Sequence, residues 1–283
     1  MTLAQLQNQT GSGFDWLKYV TTIVPPDLKP PVTAQEEVVV SEPAFFNKLF
    51  DLINHNTSKR TVANYLGWRV MLSVVWDLDT RFREIYNKYR NVLYGTSVEK
   101  SRWRSCTALV GSYFDLAVGK LYVDRTFRNG SREKAEEMIT DISTAFLDIL
   151  LNETDWMDSE AKVFAREKAL AISRKIGYPD MIYNNTAMAQ HFNGTMANET
   201  EHFQNVLINS RVWAQKSVRE LRDPFDKTKW ATSPAEVNAF YSTDYNSITF
   251  PAGILQPPFF EKDRPKSINY GAIGMVIGHE VMS

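Results

Sequence analysis

The sequence predicts a mainly α-helical protein with a short β-hairpin near its C-terminal end. From residue 36 to about residue 223, apolar side chains recur at the three- and four-residue spacing of amphipathic helices. Short β-prone runs appear only after Trp230. Of the 283 residues, 43% are hydrophobic and 23% charged, so the chain can form a core. The net charge of -1 argues against a nucleic-acid partner and against a polybasic membrane surface.

The first helical segments run from Arg60 to Leu93 and from Cys106 to Tyr122. Gly95 can end the first one in the left-handed conformation that glycine adopts easily. We expect the apolar stripes of both segments to face a core. The stripe of the first segment consists of Val62, Tyr65, Leu66, Val70, Leu72, Val75 and Trp76.

Two further helices are predicted from their caps and stripes. Ser131 is the expected N-cap of one helix, with Glu133 close to its positive end. Its inward stripe is Ala135, Met138, Ile139, Ile142, Phe146, Ile149 and Leu150. Asp158 is the expected N-cap of the other helix, which Gly177 and Pro179 should end. Its inward residues are Ala161, Phe164, Ala165, Ala169, Ile172 and Ile176.

The next segments are an exposed loop, a helix and a hairpin. Residues 183–200 are rich in Asn, Thr and Met, which predicts a loop. Helical spacing resumes from Glu201 to Arg222 and stops before Pro224. Residues 237–241 and 247–250 are short β-prone runs around a turn and can pair as a hairpin. This hairpin either packs on the helical core or offers an open edge, with an apolar pocket beside it, to an extended peptide.

The sequence contains several glycosylation motifs and a single cysteine. Seven N-x-S/T acceptor patterns occur, against roughly 2.5 expected from random placement, which favours a glycosylated surface. The acceptors are Asn8, Asn56, Asn129, Asn152, Asn184, Asn193 and Asn198. Cys106 is alone, either as a buried thiol or as half of a disulfide whose partner is missing. No apolar stretch reaches the roughly 18 residues of a membrane span, and no targeting signal is present.

The last segment, residues 271–283, reads as a helix that is apolar nearly all round and therefore buried. Its glycines at 271, 274 and 278 suggest close approach by another backbone. His279 and Glu280 stand near its end, where a buried ionisable pair needs hydrogen bonds or a metal. In the zinc motif H-E-x-x-H, two His four residues apart bind zinc and the Glu is the general base. Here Ser283 stands in the second His position.

These residues belong to three blocks that closely resemble the neprilysin and endothelin-converting enzyme family of zinc metallopeptidases. The blocks are V-N-A-F-Y at 237–241, F-P-A-G-I-L-Q-P-P-F-F at 250–260, and the run from N-Y-G to H-E at 269–280. Earlier stretches resemble the same family, so the likeness extends from the first residue to Glu280 and is strongest to the neprilysin type. It implies a short cytoplasmic tail, a membrane anchor and a large glycosylated extracellular part.

The resemblance also implies roles for particular residues. His279 matches a zinc ligand and Glu280 the general base, so the implied cofactor is one zinc ion. Asn238 and Ala239 match residues that hold the substrate backbone. The pocket for the hydrophobic side chain after the cleaved bond matches Ile254, Phe259, Met275 and Val276. Cys106 matches a cysteine whose disulfide partner lies upstream of Met1. The implied activity is cleavage of small peptides on the amino side of hydrophobic residues.

The chain departs from the family pattern after Glu280, where the second His and all later ligands are absent. We therefore expect a fragment truncated at both ends and inactive by itself, with residues 1–230 as a helical region and 231–283 as the start of a catalytic domain. Val281, Met282 and Ser283 are compatible with translation into an intron. The alternatives are a non-catalytic product that binds peptide or pairs with the full-length protein, and an unstable artefact of gene prediction.

Overall fold

Helices make up most of the computed structural model, which describes residues 1–95, 98 and 100–283. The helices among these residues are α1 (Leu3–Thr10), α2 (Trp16–Ile23), α3 (Pro43–Asp51), α4 (Lys59–Val74), α5 (Thr80–Tyr94), α6 (Arg102–Tyr113), α7 (Asp115–Thr126), α8 (Ser131–Asn152), α9 (Ser159–Leu170), α10 (Asn185–His191), α11 (His202–Arg219), α12 (Lys266–Gly271) and α13 (Ile273–Met282). The strands are β1 (Ser173–Gly177), β2 (Phe240–Ser242) and β3 (Ser247–Pro251). The predicted mainly α class is confirmed.

The chain divides into two compact units. Unit 1 contains Met1–Ser101 and Gly194–Pro224, and unit 2 contains Arg102–Asn193 and Phe225–Ser283. The predicted division into 1–230 and 231–283 describes regions of the sequence and stays a prediction.

In unit 1, ion pairs hold the end of α11 against the N-terminal segment. Both terminal guanidinium nitrogens of Arg222 donate to the carboxylate of Glu36 at 2.7 Å, and Arg219 pairs with Asp27 at 2.9 Å. This bidentate contact lowers the pKa of Glu36. The predicted helix from Glu201 to Arg222 is confirmed, with its last turn tightened to 3-10 geometry.

The segment from Arg60 to Leu93 is two helices rather than one. A 3-10 turn at Val75–Asp77 breaks it, and the Asp79 carboxylate then caps α5 by accepting from the Arg81 amide at 2.9 Å. Gly95 ends α5 with φ +66°, as predicted. The predicted inward stripe is wrong for α4, because the apolar residues of this helix are distributed around its whole circumference. Three of its members are more than half exposed, namely Tyr65, Leu66 and Val70.

In unit 2 the largest core lies between α8, α13 and the small sheet. The α8 stripe is confirmed at Ala135, Met138, Ile139 and Leu150, whereas Ile149 is half exposed. From the sheet and the loop after it, the core takes Ile248, Phe250, Ile254, Leu255 and Phe260. From α13 it takes Ile273, Ile277 and Val281, which are spaced four residues apart on one helical face.

Two predicted helix caps have different outcomes. The Asp158 carboxylate caps α9 by accepting from the Ala161 amide at 2.7 Å, as predicted. The prediction for Ser131 is wrong, since Gly130 holds the N-cap position of α8 with φ +85° and Ser131 is the first helical residue. The predicted loop at 183–200 also contains the short helix α10, which Asn184 caps through its side chain.

The sheet has the order β1-β3-β2. The predicted hairpin is confirmed, since β2 and β3 pair antiparallel with Phe240 opposite Thr249. The prediction that Ile172 and Ile176 continue the helix after Asp158 is wrong, because α9 ends at Leu170. Ile176 instead lies in β1, which pairs parallel with β3 and places Ile176 beside Phe250. Both outer strands of this sheet are edges.

Candidate functional site

The helix α13 lies against the edge strand β2 and against α8. Its inner face is fixed by Ile273 and Ile277, each about 1% exposed. The preceding α12 is held by Asn269, whose side chain donates to the Glu261 carbonyl at 2.8 Å and accepts from the Glu261 amide at 3.1 Å. Together these contacts position the segment that carries His279 and Glu280.

A polar network ties the same segment to α8. The Tyr270 hydroxyl donates to the Asp141 carboxylate at 2.6 Å, which raises the pKa of Tyr270 to about 12. Lys134 and Lys266 both donate to Glu137, at 2.6 and 2.8 Å, and lower the pKa of Glu137 to about 2.

His279 and Glu280 point in different directions. The Glu280 side chain is buried, with the residue 8% exposed, whereas His279 is exposed. Burial raises the pKa of the Glu280 carboxyl group, while His279 and the backbone amide of Tyr241 oppose this shift. The prediction that the whole pair is buried is therefore wrong for His279. The sequence of α13 is apolar nearly all round, so it gives no indication of which side of the helix faces outward.

The outward face of α13 is formed by residues four apart. Met275 is 73% exposed and lies one turn before His279, with Ser283 one turn after it. The Ser283 hydroxyl donates to the backbone oxygen of His279 at 2.9 Å. The predicted close approach at the glycines is not seen, since a Cβ at Gly271 or Gly278 would meet nothing within 4 Å. At Gly274 it would make ordinary side-chain contacts.

Gly253 is the glycine in this region that a close approach does require. A Cβ there would collide with the backbone of Glu236, and it would lie 2.7 Å from the Ala235 oxygen. The Gly253 amide donates to the Pro234 oxygen at 2.9 Å. This contact fixes the loop after β3 against the segment that leads into β2.

The predicted substrate-binding residues fall into two groups. Ala239 and Ile254 are buried in the main core, and Phe259 and Val276 pack against the same core. Asn238 is exposed two residues before β2 begins, and its side chain accepts from the Ala239 amide at 2.9 Å. Met275 is 73% exposed, whereas the other three predicted pocket residues are buried or half-buried in the core.

The remaining predicted residues lie on surfaces or in helices. All seven acceptor asparagines are exposed, and their glycosylation stays a prediction. Cys106 lies half-buried on α6 as a free thiol, and its disulfide stays a prediction. In the part of the chain that the structure describes, no helix has the length and apolar character to cross a membrane.

The residues present do not by themselves fit a zinc ion. A zinc site in an enzyme uses three protein ligands, and within the described ranges no three His, Cys, Asp or Glu side chains form a metal-binding group. The outward face of α13 offers one imidazole, and Ser283 uses its hydroxyl on the helix backbone. These residues alone therefore define no zinc-dependent step.

One contact of the site has no signature in the sequence. The Tyr241 amide lies beside the Glu280 carboxylate, although nothing in the side chain of a strand tyrosine indicates this. Only the pairing of β2 with β3, together with the packing of α13, determines the contact.

The sequence pattern of peptidase family M13 matches residues 1–179 and 238–283. The chain therefore belongs to peptidase family M13. It is 43% identical to mouse membrane metallo-endopeptidase-like 1 and 39% identical to human neprilysin, each over 99% of this chain. It covers 37% and 38% of those two proteins, less than two fifths of either length.

A solved structure agrees with this assignment. The Mycobacterium tuberculosis zinc metalloprotease Zmp1, in complex with an inhibitor, superimposes with a TM-score of 0.84 at 30% identity. The match covers 99% of this chain and 40% of the Zmp1 chain. The predicted resemblance to the neprilysin family is confirmed.

Proposed function

We propose that this chain carries the peptide-binding edge and the general base of a neprilysin-type zinc metallopeptidase, and that by itself it binds peptides without cleaving them. Membership of peptidase family M13 and the similarity to membrane metallo-endopeptidase-like 1 support an enzyme that acts on peptides. In the complete enzyme we assign His279 to the zinc ion and Glu280 to the proton of the attacking water. We propose the extracellular side of a membrane as the location of that enzyme.

One observation carries the proposal: the buried Glu280 carboxylate lies at the outer edge of β2, beside the amide of Tyr241. Ala239 precedes Tyr241 by two residues, so its carbonyl lies on the same side of the extended chain, about 7 Å away, while its amide donates to the Asn238 side chain. A peptide that pairs with the backbone at Asn238 and Ala239 would therefore pass close to Glu280.

The proposed preference is for a hydrophobic residue on the carboxyl side of the cleaved bond. Phe259 and Val276 are half-buried against the core that contains Ile254, and Met275 adds an exposed apolar side chain. Because burial of an apolar side chain stabilises a complex, peptides with Phe or Leu at that position should bind more tightly than those with Gly.

The test uses the purified 283-residue chain with Zn²⁺ and a short fluorescent peptide that contains one central Phe. We expect saturable binding in fluorescence anisotropy and no cleavage products in mass spectrometry. Replacement of Phe by Gly should weaken binding, and so should Asn238→Ala, by about fivefold for one lost hydrogen bond. Asn64→Ala, at an exposed position of α4, is the matched control.

Two results would contradict the proposal separately. Zinc-dependent cleavage that a chelator abolishes would show that the chain is active alone. Absence of binding, or equal binding by the Asn238 and Asn64 variants, would remove β2 as the peptide-binding edge.

A further inference from the structure

The other edge of the sheet, formed by β1, lies at the base of a cleft of about 630 Å³ in unit 2. One wall of the cleft is the first part of α8, with Arg132 and Glu136 one turn apart. Another wall is the segment 226–230. This cleft shares no lining residue with the site at Glu280, and the function proposed above does not use it.

The hydrogen bonds of β1 show which of its backbone groups face the cleft. The Ser173 amide donates to the Asn246 oxygen at 2.9 Å, and the Gly177 oxygen accepts from the Ala252 amide at 2.8 Å. Residues 173 and 177 therefore direct their backbone groups toward β3. Since this direction alternates along a strand, Arg174 and Ile176 direct theirs away from β3.

Three of these outward groups have no partner among the described residues. The Ile176 oxygen accepts from the Tyr178 amide at 3.1 Å. The amide and the oxygen of Arg174 and the amide of Ile176 have no such bond within the described chain. A donor, an acceptor and a second donor in this order match the backbone of an extended peptide.

The side chains around the cleft favour a negatively charged occupant. The lining contains five Lys and Arg against three Asp and Glu, which leaves two positive charges in excess. Lys227 and Lys229 stand exposed on the wall formed by 226–230. Lys175 is 8% exposed and donates to the Lys229 oxygen at 2.6 Å, which fixes this wall beside β1.

Two buried donors add to this picture. Ser173 Oγ and Arg132 Nε lie in the lining and have no acceptor among the residues that the structure describes. A buried donor without an acceptor is unfavourable, so a ligand that brings carboxylate or carbonyl oxygens is favoured over an apolar one.

We propose that the outer edge of β1 binds an extended acidic peptide segment as a fourth strand of the sheet. Its backbone pairs with Arg174 and Ile176, and its carboxylates lie toward Lys227 and Lys229. The five residues of β1 give an edge about 17 Å long, enough for a short strand.

The probe is a fluorescein-labelled hexapeptide of alternating Val and Glu, added to the 283-residue chain. A Val and Lys hexapeptide is the charge control, and a Val and Glu hexapeptide with N-methylated valines is the backbone control. We expect the acidic probe to bind in fluorescence anisotropy, more weakly as salt is added, and to bind at least about tenfold more tightly than either control.

Location is tested by hydrogen exchange and by charge reversal. The acidic probe should slow exchange of the Arg174 and Ile176 amides and leave residues 239–242 unchanged. The double variant Lys227→Glu/Lys229→Glu should weaken binding at least about tenfold. Lys59→Glu/Lys88→Glu changes the same number of exposed lysines in unit 1 and should bind like the parent chain.

Three outcomes would overturn the proposal: no binding of the acidic probe, equal binding of either control peptide, or protection that appears at 239–242 instead of 173–177. The first outcome would mean that the lysines guard this edge against pairing. The peptide controls use the parent chain, so they decide the question even if the charge-reversed variant does not fold. Failure here leaves the Asn238 test unaffected.

Discussion

Replacement of Ile277 by alanine tests whether α13 is anchored through its inner face. Ile277 is about 1% exposed and lies in the core with residues of α8 and the sheet. The substitution removes three buried carbon atoms, worth about 0.8 kcal/mol each by transfer. With a cavity that closes only in part, we expect a loss of about 3 kcal/mol in the free energy of unfolding.

The matched control is Met275→Ala, two residues away on the same helix but 73% exposed. Substitutions at such surface positions usually change stability by less than about 0.5 kcal/mol. For a unit of about 150 residues, the Ile277 variant should lower the melting temperature by roughly 6–12 °C. Circular dichroism measures the melting, and hydrogen exchange in α8 identifies the transition of unit 2. Equal losses of stability in the two variants would refute the packing of α13 through Ile277.

Three further predictions concern unit 2. The pKa of Glu137 is lowered to about 2, so its contribution to stability should be lost, and the melting temperature should fall, as the pH is lowered from 4.5 toward 2. Glu137→Gln should flatten this pH dependence. An unchanged pH profile in the variant would contradict a stabilising role of Glu137. Asp158→Ala should lower the free energy of unfolding in urea by about 1 kcal/mol, whereas Ser131→Ala should lower it less because Ser131 makes no cap bond. A larger loss for Ser131→Ala would indicate that Ser131 is the N-cap of α8. Gly253→Ala should lower the free energy of unfolding by about 1–3 kcal/mol because the new Cβ collides with the backbone of Glu236, whereas Gly278→Ala should raise it by roughly 0.5–1 kcal/mol. Similar effects of the two variants in urea unfolding would contradict the close backbone approach at Gly253.

Local signals in the sequence were reliable where contacts are local. The α8 stripe repeats with the helical period over about four turns, and the β2–β3 hairpin has a turn between two β-prone runs. Ile176 shows the opposite case. Its spacing from Ala165, Ala169 and Ile172 fits a helix, but the segment pairs with β3, more than seventy residues later in the chain. No local pattern encodes that partner.

The candidate site was predictable in its residues but not in its geometry. The H-E pair and the blocks around it identify the family from the sequence. Which of the two side chains is buried depends on how α13 packs, and a helix that is apolar nearly all round has no polar face to indicate this. The burial of Glu280 beside the Tyr241 amide therefore required the structure.

The division of the chain into units has a consequence for limited proteolysis. Unit 1 is built from two separate stretches, so the chain passes between the units at residues 101–102, 193–194 and 224–225. A single cut at the first connection frees neither unit, because 194–224 stays covalently joined to unit 2 at both of its ends. Release of unit 2 needs cuts at all three connections. Its production as one polypeptide needs a designed linker in place of 194–224.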